Sequence, residues 1–217
     1  MTNENTLLPP EDEEEFKIDS SVCIPCSEKE PMLEFHMGEI LNVIYGPKWK
    51  EDDNLKDTPH RYAKMMSELT KGLHEPEFKF TGFQKGTYQD VVAVKEIPFF
   101  SICAHHLVPF FGKVSIVYKP KDKVVGLSKL PRLVQHLAAK PQIQELLTTE
   151  IVDNILKYIE PEGVMVIIHA RHLCMEMRGV KSIGNVTITS KVQGVFLENY
   201  AIRQEALHLL GVDNINV

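Results

Sequence analysis

The reactive residues of this chain concentrate in two places. Ser101-Ile102-Cys103-Ala104-His105-His106 is the denser one, and His172-Leu173-Cys174 lies well downstream. Cys103 and His106 stand in C-x-x-H spacing, which lets a turn aim a thiolate and an imidazole at one ion, and Cys174 can supply a third ligand. Zinc favours these donors. Three protein ligands leave a fourth position for a water, which then loses a proton near neutral pH and becomes a nucleophile. If the strand expected from Val164 runs on to about Met177, alternation puts His172 and Cys174 on one face. A second imidazole then sits beside the metal, where a proton shuttle is useful. Bland alternatives exist for each residue. A buried Cys is usually a small hydrophobe, and a single His is usually a satisfied core or surface residue. Spacing alone therefore permits a zinc site and leaves structural roles open. The CxxC of Cys23-Ile24-Pro25-Cys26 reads three ways: half of a structural zinc site, a redox pair, or an incidental pair in a flexible segment.

The elements that must position these residues follow from patterning. Residues 1–30 hold nine acidic side chains and two basic ones, including Glu11-Asp12-Glu13-Glu14-Glu15. Such a segment buries too little apolar surface to offset its ordering entropy, so a mobile acidic tail is expected. Residues 31–89 read as an N-terminal helical region. One helix spans Met32 to Ile44 and ends at Gly46-Pro47; a second opens at Asp57-Thr58-Pro59, with Thr58 as N-cap and Pro59 in the first turn. Residues 90–217 read as the catalytic domain. Val91 to Phe100 and Val114 to Tyr118 are expected strands, Leu127 to Ala139 and Pro141 to Ile159 helices, and Val164 to about Met177 and Val186 to Val195 further strands. A last helix begins near Glu198. This order suggests an α+β domain with a largely antiparallel sheet backed by helices.

Composition limits the function. The chain has 217 residues, of which 43% are apolar, so a real core is possible. No run of about 18 apolar residues is present, and none of the signals of secretion precede the acidic segment, so a soluble cytoplasmic protein with no membrane partner is expected. The net charge of −6 argues against a general nucleic-acid binder. That charge belongs to the first 30 residues, because residues 31–217 sum to +1. A nucleotide would meet a nearly neutral body.

Several segments together resemble one family. Cys103-Ala104-His105-His106-Leu107-Val108-Pro109-Phe110-Phe111-Gly112-Lys113 resembles the zinc-site segment of GTP cyclohydrolase I, and His172 to Val180 resembles the stretch with its second cysteine ligand. Gly126-Leu127-Ser128-Lys129-Leu130-Pro131-Arg132 is similar to its phosphate-binding segment, and Gln142 to Thr148 to its guanine-recognition helix. Thr187-Ile188-Thr189-Ser190 and Thr58 to Met65 also match, in the family's order, over residues 33–211.

The resemblance implies a tunnelling fold (T-fold) whose subunits assemble into a toroidal homo-oligomer, typically a decamer, with active sites between subunits. It implies Zn2+ on Cys103, His106 and Cys174, with His105 and His172 as acid/base imidazoles. Glu145, with Gln144 beside it, would read the guanine edge. Ser128, Lys129, Arg132 and Arg178 would hold the triphosphate, with Arg61 and Lys64 as further candidates from a neighbouring subunit. The implied reaction is hydrolysis of GTP at guanine C8, then rearrangement to 7,8-dihydroneopterin triphosphate and formate, the entry to folate and pterin pathways. Taken in isolation, Lys129 and Arg132 would be a solvated helix face, and Ser128 a helix N-cap. Ala104 departs from the Glu that the family commonly has between the Cys and the two His. Two rivals stay open: another zinc hydrolase of purines or pterins on the same scaffold, which that departure mainly supports, and a binding module in which zinc is structural and nucleotide is only sensed.

Overall fold

The computed structural model describes residues 26–211; the acidic segment up to residue 25, with Cys23, and residues 212–217 lie outside the described residues. In chain order the elements are α1 (Cys26–Tyr45), a 3-10 turn (Pro47–Glu51), α2 (Thr58–Leu69), β1 (Gly82–Gln84), β2 (Val92–Cys103), β3 (Pro109–Lys119) and β4 (Lys123–Val125). They continue with α3 (Lys129–Ala138), β5 (Pro141–Gln142), α4 (Gln144–Ile159), β6 (Gly163–His172), α5 (Leu173–Glu176), β7 (Thr187–Gly194), α6 (Val195–Glu198) and α7 (Tyr200–Leu210).

The main sheet has the order β5-β2-β3-β6-β7, antiparallel throughout except where β5 runs parallel to β2. Burial explains its sequence. On β6, Val164, Val166, Ile168 and Ala170 join α3 and α4 in the larger core, while Met165 and Ile167 face Phe196 and Ala206 of α6 and α7. Both faces are covered from Val164 to Ile168, so that stretch is a continuous apolar run; beyond it His169 is exposed. Helix α4 closes the larger core with Leu147, Ile151, Ile155 and Ile159, one face of a helix at four-residue steps. The helical region is a separate α1–α2 hairpin in which Leu41, Trp49, Ala63 and Met66 are buried and the Trp49 indole donates to Asn42 at 2.7 Å. It is tied to α3 where the Gly72 N–H donates to the Ala139 carbonyl at 2.8 Å.

Four expectations change. The first helix begins at Cys26, so the end of the acidic segment is helical, with Pro31 inside the helix. Asp57 occupies the N-cap of α2 in place of Thr58, without a side-chain cap bond. Pro141 opens a two-residue strand, and α4 starts only at Gln144. Proline fits there because a strand's first residue need not donate. Finally, the strand from Val164 stops at His172. Its partner β3 begins at Pro109, and the ladder's last pair is Phe110 with His172, so the chain beyond has nothing to pair with and coils into α5. Cys174 therefore sits on a helical turn, and strand alternation does not relate it to His172.

Candidate active site

Strands β2 and β6 flank the antiparallel β3, so their C-terminal ends arrive at the same end of the sheet. Cys103 is the last residue of β2. The chain then reverses in a tight turn: the Leu107 and His106 N–H groups both donate to the Cys103 carbonyl, at 2.8 and 3.3 Å, and the Cys103 N–H donates to Val108. Leu107 takes a left-handed conformation, φ 52°, uncommon for a branched residue. This turn folds His106 back over Cys103, leaving the Cys103 sulfur 3.9 Å from His106 Nδ1. Cys174 approaches from α5. The ligand atoms of Cys103, His106 and Cys174 all lie within 4.8 Å of one another, so the group can hold a metal ion. Burial pushes the Cys174 thiol up, and the neighbouring Cys103 sulfur pushes it further. Proximity to a second sulfur disfavours the thiolate until a cation compensates it.

The two other imidazoles differ sharply. His105 is exposed, with Nδ1 3.7 Å from the Cys103 sulfur. His172 lies face to face with the Phe110 ring, centroids 4.7 Å apart and planes at 4°. Its Nε2 is 2.8 Å from Oε1 of Gln144. Burial lowers the His172 pKa, and the Glu145 carboxylate partly raises it again.

Gln144 is 1% exposed, and both its polar atoms are engaged by the protein. Its nitrogen donates towards Thr189 Oγ1 at 3.0 Å, the Thr187 carbonyl at 3.1 Å and the Ile168 carbonyl at 3.2 Å. Three acceptors on that side fix the amide's orientation. Its oxygen faces His172, so the imidazole Nε2 is the donor. Behind it, the Thr148 hydroxyl donates to the Gln144 carbonyl at 2.8 Å, which leaves the Thr189 hydroxyl to donate to Thr148 at 2.7 Å. Gln144, expected beside the guanine edge, is buried behind the His172 imidazole. Glu145, the next residue, is exposed on the first turn of α4.

The other expected residues are distributed as follows. Arg178 borders the Cys103–His106–Cys174 group, with Nη1 3.2 Å from His106 Nε2. Ser128 is at the N-cap position of α3 without a side-chain cap bond, Lys129 is the helix's first residue, and Arg132 is exposed one turn on. Arg61 and Lys64 are exposed on α2, where Arg61 contacts Asp57 and the Asn54 carbonyl. Phe110, Thr148 and Thr189 were not singled out by the sequence. For Gln144 a signal existed: it continues the buried stripe of Leu147, Thr148 and Ile151, which marks an inward amide needing partners.

Comparisons with known proteins add to this geometry. The sequence profile described as GTP cyclohydrolase I matches residues 33–211. A protein named GTP cyclohydrolase 1 from Carboxydothermus hydrogenoformans is 47% identical over 161 residues, 73% of this chain and 84% of that protein. One of the same name from Hydrogenobaculum sp. is 48% identical over 159 residues, 73% of this chain and 86% of that one. A solved structure of an archaeosine synthase QueF-Like in the apo form superposes with a TM-score of 0.41 at 17% identity, covering 50% of this chain and 97% of that chain.

Proposed function

Because this chain belongs to the GTP cyclohydrolase I family, we propose that it binds zinc at Cys103, His106 and Cys174 and opens the guanine ring of GTP at C8. The products of this reading are formate and 7,8-dihydroneopterin triphosphate. The observation that carries it is the convergence of two thiols and one imidazole within 4.8 Å. The donor set fits the ion: tetrahedral zinc with bonds of about 2.0–2.3 Å holds its donors about 3.5–3.8 Å apart, and the Cys103 sulfur to His106 nitrogen distance is 3.9 Å. When bound, the ion supplies a Lewis acid that makes a water nucleophilic at neutral pH.

The chain's own residues do the rest. His172, held through Nε2 by Gln144, keeps Nδ1 as its exchangeable position and delivers a proton to N7 of the opening ring. His105, exposed beside the Cys103 sulfur, is the second acid/base group. Glu145 accepts from the guanine ring N–H and exocyclic amine, which rejects adenine. Ser128, Lys129, Arg132 and Arg178 position a triphosphate that is not cleaved, with Ser128 and Lys129 presenting a helix N-terminus to it. Arg61 and Lys64 serve the site of a neighbouring subunit.

That last role belongs to a toroidal decamer of T-fold subunits. Support comes from the sheet: among the described residues the outer edge of β7 has no backbone partner, and β2 is paired on its outer side only at Ile102 and Cys103. Edge-to-edge association satisfies both. Among the described residues no helix is long and apolar enough to cross a membrane.

The test is direct. Purified protein incubated with GTP is expected to release formate and, after oxidation, a fluorescent pterin, and Cys174→Ser is expected to abolish both. Zinc-loaded, assembled protein that binds GTP and leaves it intact would sink the reading.

A further inference from the structure

Glu176 is the one buried carboxylate among the described residues, 7% exposed, and no step above uses it. Its two oxygens accept from the Arg171 guanidinium, Oε1 from Nε at 2.8 Å and Oε2 from Nη2 at 2.6 Å. This is the paired fork of an arginine–carboxylate contact, which fixes orientation as well as distance. The guanidinium in turn lies over the Phe111 ring, 5.8 Å from its centroid, and Phe111 stacks on Phe100. The Ser182 N–H donates to the Met175 carbonyl at 3.0 Å, tying the returning chain to α5.

The position of this fork is what gives it meaning. Arg171 is the penultimate residue of β6 and Glu176 ends α5, so the fork closes the segment carrying His172 and Cys174 on itself. The ladder stops at His172. A helix as short as α5 has no stability of its own, since nucleation is unfavourable and only about 12–15 residues make an isolated helix even marginal. Without the fork, the turn that carries the Cys174 sulfur rests on main-chain bonds such as Met177 N–H to the Leu173 carbonyl and Ser182 N–H to the Met175 carbonyl. The Ser182 bond to Met175 extends the restraint to the returning segment that carries Arg178.

We propose that the Arg171–Glu176 fork is a positioning device that presets the Cys174 sulfur for the metal ion, so that ligand geometry exists before the ion arrives. It rests on the reading of Cys174 as a metal ligand. A purely structural tie would stabilise metal-free and metal-loaded protein alike and leave metal affinity untouched. A positioning device changes affinity and ligand geometry.

The experiment uses the full chain as wild type, Glu176→Gln, Arg171→Met and the double variant. Zinc affinity is measured by competition with a chromophoric chelator, and the thiolate-to-metal absorption is recorded after cobalt(II) substitution. Each single variant is expected to bind zinc about 10–100-fold more weakly, the range seen when groups orienting a metal ligand are removed, with a weakened or shifted cobalt band. The double variant is expected to lose no more than the worse single variant, because either change breaks the same fork. Should Glu176→Gln not fold, Arg171→Met carries the measurement, its side chain being 43% exposed. A folded variant with zinc affinity within twofold of wild type and an unchanged cobalt spectrum overturns the proposal. Wild-type protein that binds neither zinc nor cobalt overturns the metal reading beneath it.

Discussion

Nε2 of His172 lies 2.8 Å from Oε1 of Gln144, and the rest of that amide is held by Thr189, Thr187 and Ile168. The residue immediately before the exposed Glu145 thus points into the core while Glu145 points out of it. The first turn of one helix thus presents an exposed carboxylate outward and a buried amide inward against the imidazole. An imidazole whose Nε2 must donate can exchange a proton only at Nδ1, and its ring plane is set by Phe110.

Gln144→Ala is therefore expected to damage turnover more than binding. A positioned general acid contributes about 10²–10⁴-fold, and releasing His172 to rotate should cost about 100-fold in kcat with KM changed less than about threefold. Steady-state kinetics with GTP make the check. A large rise in KM at unchanged kcat would return Gln144 to the guanine edge.

A second expectation concerns proton affinity. In metal-free protein His172 should titrate below its ordinary value of 6.5, because burial disfavours the imidazolium. Glu145→Gln should lower it further, since that carboxylate opposes the burial effect. The stability consequence has a definite sign. Between the two pKa values the unfolded chain binds more protons, so this contribution falls as pH drops below 6.5 and levels off below the folded pKa. Histidine NMR titration of both proteins is decisive; a rise in the His172 pKa on removing Glu145 would contradict the arrangement.

A third concerns Gly112. A Cβ there would stand 2.7 Å from the Ala170 Cα and 2.8 Å from the His169 carbonyl carbon, with the carbonyl oxygen nearer still. These are backbone atoms of β6 and cannot step aside. Gly112→Ala should cost about 3 kcal/mol, the upper end for overpacking, read as a lower urea midpoint. Phe110 and His172 pair two residues along the same ladder, so spreading the strands should also lower turnover in protein that remains folded.

How far the sequence anticipates this site depends on how local each feature is. The β6 strand, the α4 stripe and the C-x-x-H turn are written in neighbouring residues, and the structure has them. The end of β6 is not, because it depends on where β3 starts, and Pro109 lies far away in the chain. Extending the strand through Cys174 followed from reading one strand without its partner. Arg171 and Glu176 are five apart and straddle a strand end and a helical turn, a spacing that no single element brings together. Gln144 was visible as an inward position, but which acceptors would meet it depended on β6 and β7.

Finally, metal affinity should depend steeply on pH, and Cys174 says in which direction. Burial and the Cys103 sulfur raise its thiol pKa, so a proton competes with the ion throughout the neutral range. Metal binding must release that proton, and below the thiol pKa the apparent affinity falls about tenfold per pH unit for each thiol proton displaced. Chelator competition at several pH values should therefore give a slope of at least one in log affinity against pH. Cys174→Ser should weaken binding at every pH and flatten the slope, because the proton on that sulfur no longer takes part. A pH-independent affinity would mean that the ion does not bind through the Cys174 thiolate.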